Sequence, residues 1–162
     1  MWAGQAIEVI AQSLGKSIHL FRCRLILGMA AFHLNDLAGA RQELEAARDF
    51  FSRVSSHLSL VEARLGLSLV ESALGNGGAA TRQLASALSL AASQGYEAFP
   101  LLAAGDIMAA CTPALQPPNC ETAILSRRIL DHLPPQTLRS KPASEADAET
   151  PAHGPTATAG SD

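Results

Sequence analysis

Residues 20–47 read LFRCRLILGMAAFHLNDLAGARQELEAA, and residues 60–87 read LVEARLGLSLVESALGNGGAATRQLASA. Laid one over the other without a gap, they pair Leu20 with Leu60, Arg24 with Arg64, Leu25 with Leu65 and Leu27 with Leu67. The same 40-residue step pairs Leu34 with Leu74, Ala40 with Ala80, Leu44 with Leu84 and Ala47 with Ala87. Gly15, Ser55, Gly95 and Pro135 keep that step too, each where an apolar helical pattern stops. A fixed period of this length is the signature of stacked repeats. The expected unit is 40 residues long and made of two helices.

Helical spacing recurs inside each unit. Between Leu20 and Leu34 the residues are apolar almost all round, as in a helix covered on most sides. Asn35-Asp36 breaks the run. The following stretch sets Leu37, Ala40, Leu44, Ala47 and Phe51 on one stripe and turns Arg41, Glu43, Glu45, Arg48 and Asp49 outward. The second unit repeats this scheme, with an apolar run from Leu58 to Leu74, a turn at Gly75-Asn76-Gly77-Gly78 and a stripe of Ala80, Leu84, Ala87, Leu88 and Ala91.

The flanks read as partial units. Ala3 to Leu14 carries Ile7, Ile10, Ala11 and Leu14 on one face, like the second helix of a unit whose first helix is missing. Such a helix is expected to expose an apolar face, to self-associate, and to belong to a stack that was once longer. Ala98 to Cys111 reads as the first helix of a third unit, whose partner is delayed by Pro113, Pro117 and Pro118 to Glu121–Leu133. The expected fold is all-α: a right-handed superhelical array of about seven helices over residues 1–135. Residues 136–162 are rich in Pro, Ala and Thr and poor in large apolar side chains, so they are expected to be a disordered tail.

Composition removes several function classes. The 162 residues are 48% hydrophobic but only 17% charged and 4% aromatic, with a net charge of −3. Ala and Leu carry the apolar share, which favours helices over strands. Nothing resembles a membrane span or a secretory signal. Cys23, Cys111 and Cys120 are too few for a disulfide scaffold and suit a reducing cytoplasm. The acidic balance speaks against direct nucleic-acid binding. Ten arginines against two lysines, with the alanine load, resemble the coding bias of a GC-rich bacterium.

Gly28, Ala40, Leu44 and Ala47 stand at the spacing of the small-small-large-small signature of tetratricopeptide repeats, and Asn35-Asp36 takes the place of that family's Gly-Asp turn. Ser68, Ala80, Leu84 and Ala87 repeat the pattern around Gly75-Asn76. The 40-residue unit resembles the longer, divergent tetratricopeptide-like class. The passage from Ala79 through Gly95-Tyr96 to Leu102, with Ile124–Leu130 and Leu133-Pro134-Pro135 after it, resembles the end of the sensor region of MalT-like, LuxR-type ATP-binding transcription regulators. That resemblance implies a helical array that binds a protein or a small effector and passes the signal on.

No motif supports catalysis. Gly15-Lys16-Ser17 ends like a P-loop, but Ile10 stands where its first glycine is needed and the preceding residues read as helix, making Gly15 a helix stop. His19 and Cys23 share a helix face without a second ligand pair, so no metal is expected and Cys23 reads as a small buried side chain. Cys111 and Cys120 lack a basic neighbour to activate them. Glu43, Glu45 and Asp49 look like a solvated face. Arg127-Arg128 is too little for a DNA-binding stripe. No cofactor and no enzymatic activity are expected.

Function must then lie on a surface, and in a helical array the first helix of each pair lines the concave face. By the resemblance, Arg22, Met29, Phe32 and His33 in one unit and Glu62, Leu69 and Ser72 in the next would meet the partner. Leu25 and Leu65 fit either that groove or the space between helices. Two readings are open: a sensing segment of a transcription regulator, or a stand-alone adaptor that takes a peptide or helix in its groove.

Overall fold

The computed structural model describes residues 2–116, 118 and 120–133, and for residues 2–12 and 14 the backbone alone. Among them four residues have a positive φ, and they stand twenty apart: Asn35 (62°), Ser55 (53°), Gly75 (78°) and Gly95 (71°). Each is the left-handed residue that closes a helix. The next amide in each case bonds back five residues, Asp36 to the Ala31 carbonyl (2.9 Å), Ser56 to Phe51 (3.1 Å), Asn76 to Glu71 (2.8 Å) and Tyr96 to Ala91 (2.9 Å). This 6→1 bond satisfies a helix-end carbonyl that would otherwise be orphaned.

At the first three positions the residue whose amide makes this bond also opens the next helix. Asp36, Ser56 and Asn76 are all of the type favoured at helix starts, and Asp36 accepts the Gly39 amide at 2.9 Å. The chain therefore runs as α1 (Trp2–His33), α2 (Leu37–Arg53), α3 (His57–Ala73) and α4 (Gly77–Gln94), joined by three-residue turns. The 40-residue repeat is two 20-residue helix-and-turn steps.

That rule explains two corrections. Gly15 stands in the same series but does not stop a helix, and residues 2–33 form one helix instead of two. The following position holds Lys16, which has no side-chain acceptor to start a new helix, while a glycine inside a helix costs only about 1 kcal/mol. At the other end, Tyr96 follows Gly95 in place of an Asp, Ser or Asn. Pro100 further disfavours helix at Phe99, so the helix expected from Ala98 begins only at Ala104. It is the short α5 (Ala104–Cys111), followed by a 3₁₀ turn (Thr112–Leu115) and α6 (Glu121–Asp131). The described residues thus form six α-helices rather than seven, with no strand among them. Pro117, Asn119, Pro135 and the tail 136–162 lie outside the described residues, as do the side chains of Ile7, Ile10, Ala11 and Leu14.

Consecutive helices α1 to α4 pack on one another, α5 lies on α3, and α6 lies on α4 and α5. Leu44 is the contact that brings α1, α2 and α3 together. A Cβ on Gly28 of α1 would stand 2.7 Å from Leu44 Cγ, and one on Gly66 of α3 would stand 3.1 Å from Leu44 Cδ2. A larger residue at Gly28 would have to move Leu44, and one at Gly66 would press first on Met29 Sδ, 2.9 Å away, and then on Leu44. Helix α3 is buried nearly all round, from Ser59 to Glu71 with only Arg64 partly open. Phe21 of α1 and Phe50 of α2 stack with centroids 4.0 Å apart, and Arg24 lies over the Phe21 ring at 5.4 Å.

Helix α1 departs from expectation. Its apolar sequence predicts cover on most sides, yet Leu20, Leu27 and Leu34 are 57%, 58% and 82% exposed, and Cys23 is exposed rather than buried. Among the described residues, α1 packs on α2 and, more lightly, on α3, and its Leu20–Leu27 side stays open.

Two substitutions test this account in urea titrations. Leu44→Ala should cost about 3–5 kcal/mol, because the glycines on both sides cannot collapse into the space. Ser55→Gly should add about 1 kcal/mol by relieving a non-glycine residue of left-handed backbone. A neutral result at Leu44 would remove it from the core.

Candidate functional site

The residues expected to line a concave groove fall on two helices and are not all open. Helix α1 supplies Arg22, Met29, Phe32 and His33; α3 supplies Glu62, Leu69 and Ser72. Met29 and Leu69 are buried, and Glu62 is only 1% exposed. These three correct the expectation of a free binding face: Met29 packs against Gly66 of α3, and Glu62 is met by the irregular segment between α4 and α5. It crosses α3, and the Leu101 amide donates to Glu62 Oε1 at 2.8 Å. Phe99 and Leu102 of the same segment are buried. Arg22 and Phe32 are half-buried, while His33 and Ser72 are exposed.

The arrangement is a set of locks. Burial pushes the Glu62 carboxyl above its ordinary pKa, against the opposing effects of the Leu101 amide and the Arg22 charge. His33 Nε2 donates to Asp106 Oδ2 at 3.2 Å, tying the end of α1 to α5. Glu71 is buried, pairs with Arg41 of α2 at 3.1 Å and accepts from Asn76 Nδ2 at 2.8 Å. A buried carboxylate holds only where it is paired and hydrogen-bonded, and Glu71 meets both conditions through α2 and the turn after α3. Sequence reasoning missed Asp106 and Glu71. Their only signal is an acid within a mostly apolar helix, the same signal that singles out Glu62.

Ser72 and Leu69 still border an open groove. With Ala80, Leu84, Ala110 and Pro113 they line a hollow of about 320 Å³ between α3, α4 and α5. Its walls are mainly small and apolar, so it offers shape and not reactive chemistry. The remaining cysteine chemistry is equally inert: burial drives the Cys111 thiol up to about 11, and Cys120 serves α6 as its cap, accepting the Ala123 amide at 3.4 Å. Among the described residues no three His, Cys, Asp or Glu side chains gather as metal ligands, and no helix is long and apolar enough to cross a membrane.

An exposed apolar surface lies elsewhere, on the outer side of α1. Leu20, Cys23, Leu27, Ala30 and Leu34 are all exposed and succeed one another at spacings of three and four, with exposed Ile26 beside them. That is the spacing of a seam that receives another helix. The matching residues of α3, forty positions on, are Leu60, Ala63, Leu67 and Val70, and all four are buried. Helix α2 packs on the α3 that carries them.

Comparison with family models, with characterised proteins and with solved structures gives no match.

The raised pKa of Glu62 carries a pH signature. A carboxyl that binds its proton more tightly in the folded than in the unfolded chain contributes stability below the unfolded pKa, and that contribution is lost as pH rises through the folded value. Glu62→Gln keeps an acceptor for Leu101 but removes the charge. Thermal melts should therefore show the variant gaining on the wild type as pH rises from about 4 to about 7, with the gap closing again at acid pH. A variant that loses ground at neutral pH would show that the ionised carboxylate is the stabilising form.

Proposed function

We propose that this chain is a non-catalytic helical-repeat module that binds a partner helix on the outer face of α1. The observation that carries this reading is the exposed stripe Leu20, Cys23, Leu27 and Ala30, continued by Leu34 just past the helix end, whereas the counterparts of the first four on α3, which packs on α2, are buried. A contiguous exposed apolar seam on one helix marks an interaction surface. The internal repeat supplies the form of the occupant, an amphipathic helix with the Ala-Leu-Ala face of α2.

Two further features narrow the occupant. Residues 13–33 contain Lys16, Arg22 and Arg24 with His19 and His33, and no Asp or Glu. An acidic helix complements that charge, whereas a second α1 would bring like charges together. Ile26 occupies the position in its unit that Gly66 holds on α3. The incoming helix must therefore present a small side chain where α2 presents Leu44.

The likeness to the sensor region of MalT-like regulators suits such a module to a bacterial, cytoplasmic transcription regulator, where docking of a helix would pass a signal between parts of a larger assembly. The adaptor reading, with a peptide in the concave groove, has less room. The groove is crossed at Glu62 and Leu101, and only its Leu69–Ser72 end stays open.

The probe is a peptide of residues 37–53 carrying Arg41→Glu, Arg48→Glu and Leu44→Ala, stapled as a helix and dye-labelled. Anisotropy should show saturable binding to the full chain, about tenfold tighter than for the same peptide with its arginines restored. Leu27→Glu, with unchanged circular dichroism, should abolish it. Absence of binding, or binding that survives Leu27→Glu, overturns the reading. A dimer that Leu27→Glu dissolves would give the face to a second copy instead.

A further inference from the structure

Arg24 and Arg64 occupy the same place in successive units, but their surroundings differ in charge. Arg24 has a counter-ion, Glu43 of α2, with Nε and Oε2 3.7 Å apart. Forty residues on, the position of Glu43 is held by Gln83, which is neutral. Arg64 accordingly makes no ion pair among the described residues, and its buried Nε has no hydrogen-bond partner. Burial lowers its pKa from the ordinary arginine value, and the nearby Arg48 lowers it further. Arg48 itself is engaged by Asp49 at 2.7 Å. A half-buried guanidinium with an idle donor destabilises a fold unless something completes it.

The space in front of Arg64 has the chemistry to do so. It opens on a hollow of about 640 Å³, lined among others by His57 of α3, Ser86, Ser89 and Ser93 of α4, and Glu121 of α6. The three serines recur at helical spacing on one face of α4 and line the same hollow as Arg64. Ser93 donates its hydroxyl proton to the Leu90 carbonyl at 2.8 Å, which leaves Ser86 and Ser89 as hydroxyl donors. Glu121 is the single carboxylate on the lining and is exposed, in no ion pair with Arg64. The hollow lies on the side of α3 and α4 that faces α6, apart from the exposed face of α1.

We propose that this hollow is an oxyanion site, in which the carboxylate or phosphate group of a small ligand takes the place that Glu43 fills for Arg24. Arg64 provides the charge and a forked pair of donors, the geometry in which guanidinium groups hold carboxylates and phosphates. Ser86 and Ser89 provide neutral donors, and His57 lies at the rim. The ligand bridges α3, α4 and α6, so its binding tightens the attachment of the C-terminal helix to the repeat pairs. The site is independent of the helix-binding face, and neither stands or falls with the other.

The experiment uses the full chain, with inorganic phosphate and succinate as probes and chloride at matched ionic strength as the control. At least one oxyanion should raise the melting temperature saturably where chloride does not. The probe with the larger shift tells a phosphate-bearing ligand from a carboxylate one. Arg64→Met, which keeps most of the apolar stem, should abolish the shift. Gln83→Glu should abolish it as well, by restoring the internal counter-ion of the first unit, and its own melting temperature shows that the fold is kept. No saturable shift with either anion overturns the proposal. So does a shift that survives in either folded variant.

Discussion

Leu44 lies between two glycines, and the rest of the fold depends on that contact. Gly28 on α1 and Gly66 on α3 have no side chain, and the Leu44 side chain of α2 fills both absences at once. One leucine therefore sets the distance of α2 from both neighbours and places α1 and α3 side by side, with Met29 against Gly66. In the second unit Leu84 holds the place of Leu44 and is likewise buried, but Ser68 stands where the first unit has Gly28. The other half has no counterpart, because the chain after Gly95 does not go straight on into another full-length helix. Close packing of this kind leaves little tolerance for volume change, which is why the array is specified so sharply at these positions and so loosely on its outer faces.

The polar groups obey the same packing. Once α3 is enclosed, any acid on it must be paired or hydrogen-bonded. Glu71 reaches Arg41 and Asn76, and Glu62 reaches the Leu101 amide. Asp106 of α5 does the same with His33. The Glu62 and Asp106 bonds fasten the chain after α4 to α3 and to the end of α1, so that side of the first helices is partly covered by the chain itself. On the proposed reading, a partner helix meets the outer side of α1 rather than the inner surface of the helix pairs.

Much of this was legible in the residues. The 40-residue register located α2, α3 and α4, the buried positions Ala40, Leu44, Ala47, Leu84 and Ala87, and the special role of Gly28. The finer 20-residue step was harder to see because its signal is split between dissimilar residues: Asn35, Ser55, Gly75 and Gly95 share a backbone conformation rather than a chemistry. Gly15 misled for the same reason. A glycine at this place in the series need not take the left-handed conformation that stops a helix: Gly95 takes it and ends α4, whereas Gly15, followed by Lys16 with no side-chain acceptor to cap a new helix, stays within α1. Glu62 misled because polarity on an apolar helix marks either a contact with a partner or a bond to the chain's own backbone, and only the path of residues 96–103 decides between them. Cys23 and Leu27 misled because an apolar residue does not reveal whether its neighbour is present in the same chain.

The central claim is that α1 and α3 carry the same seam, open on the first and covered on the second. Its most direct measurement is the thiol accessibility of the matched pair Leu27 and Leu67, 58% and 1% exposed. In a Cys23→Ser background, Leu27→Cys and Leu67→Cys would each be treated with N-ethylmaleimide under native conditions. The account predicts modification of position 27 at the rate of a free surface thiol and protection of position 67 until the chain unfolds. Equal rates at the two positions, whether both fast or both slow, would contradict it.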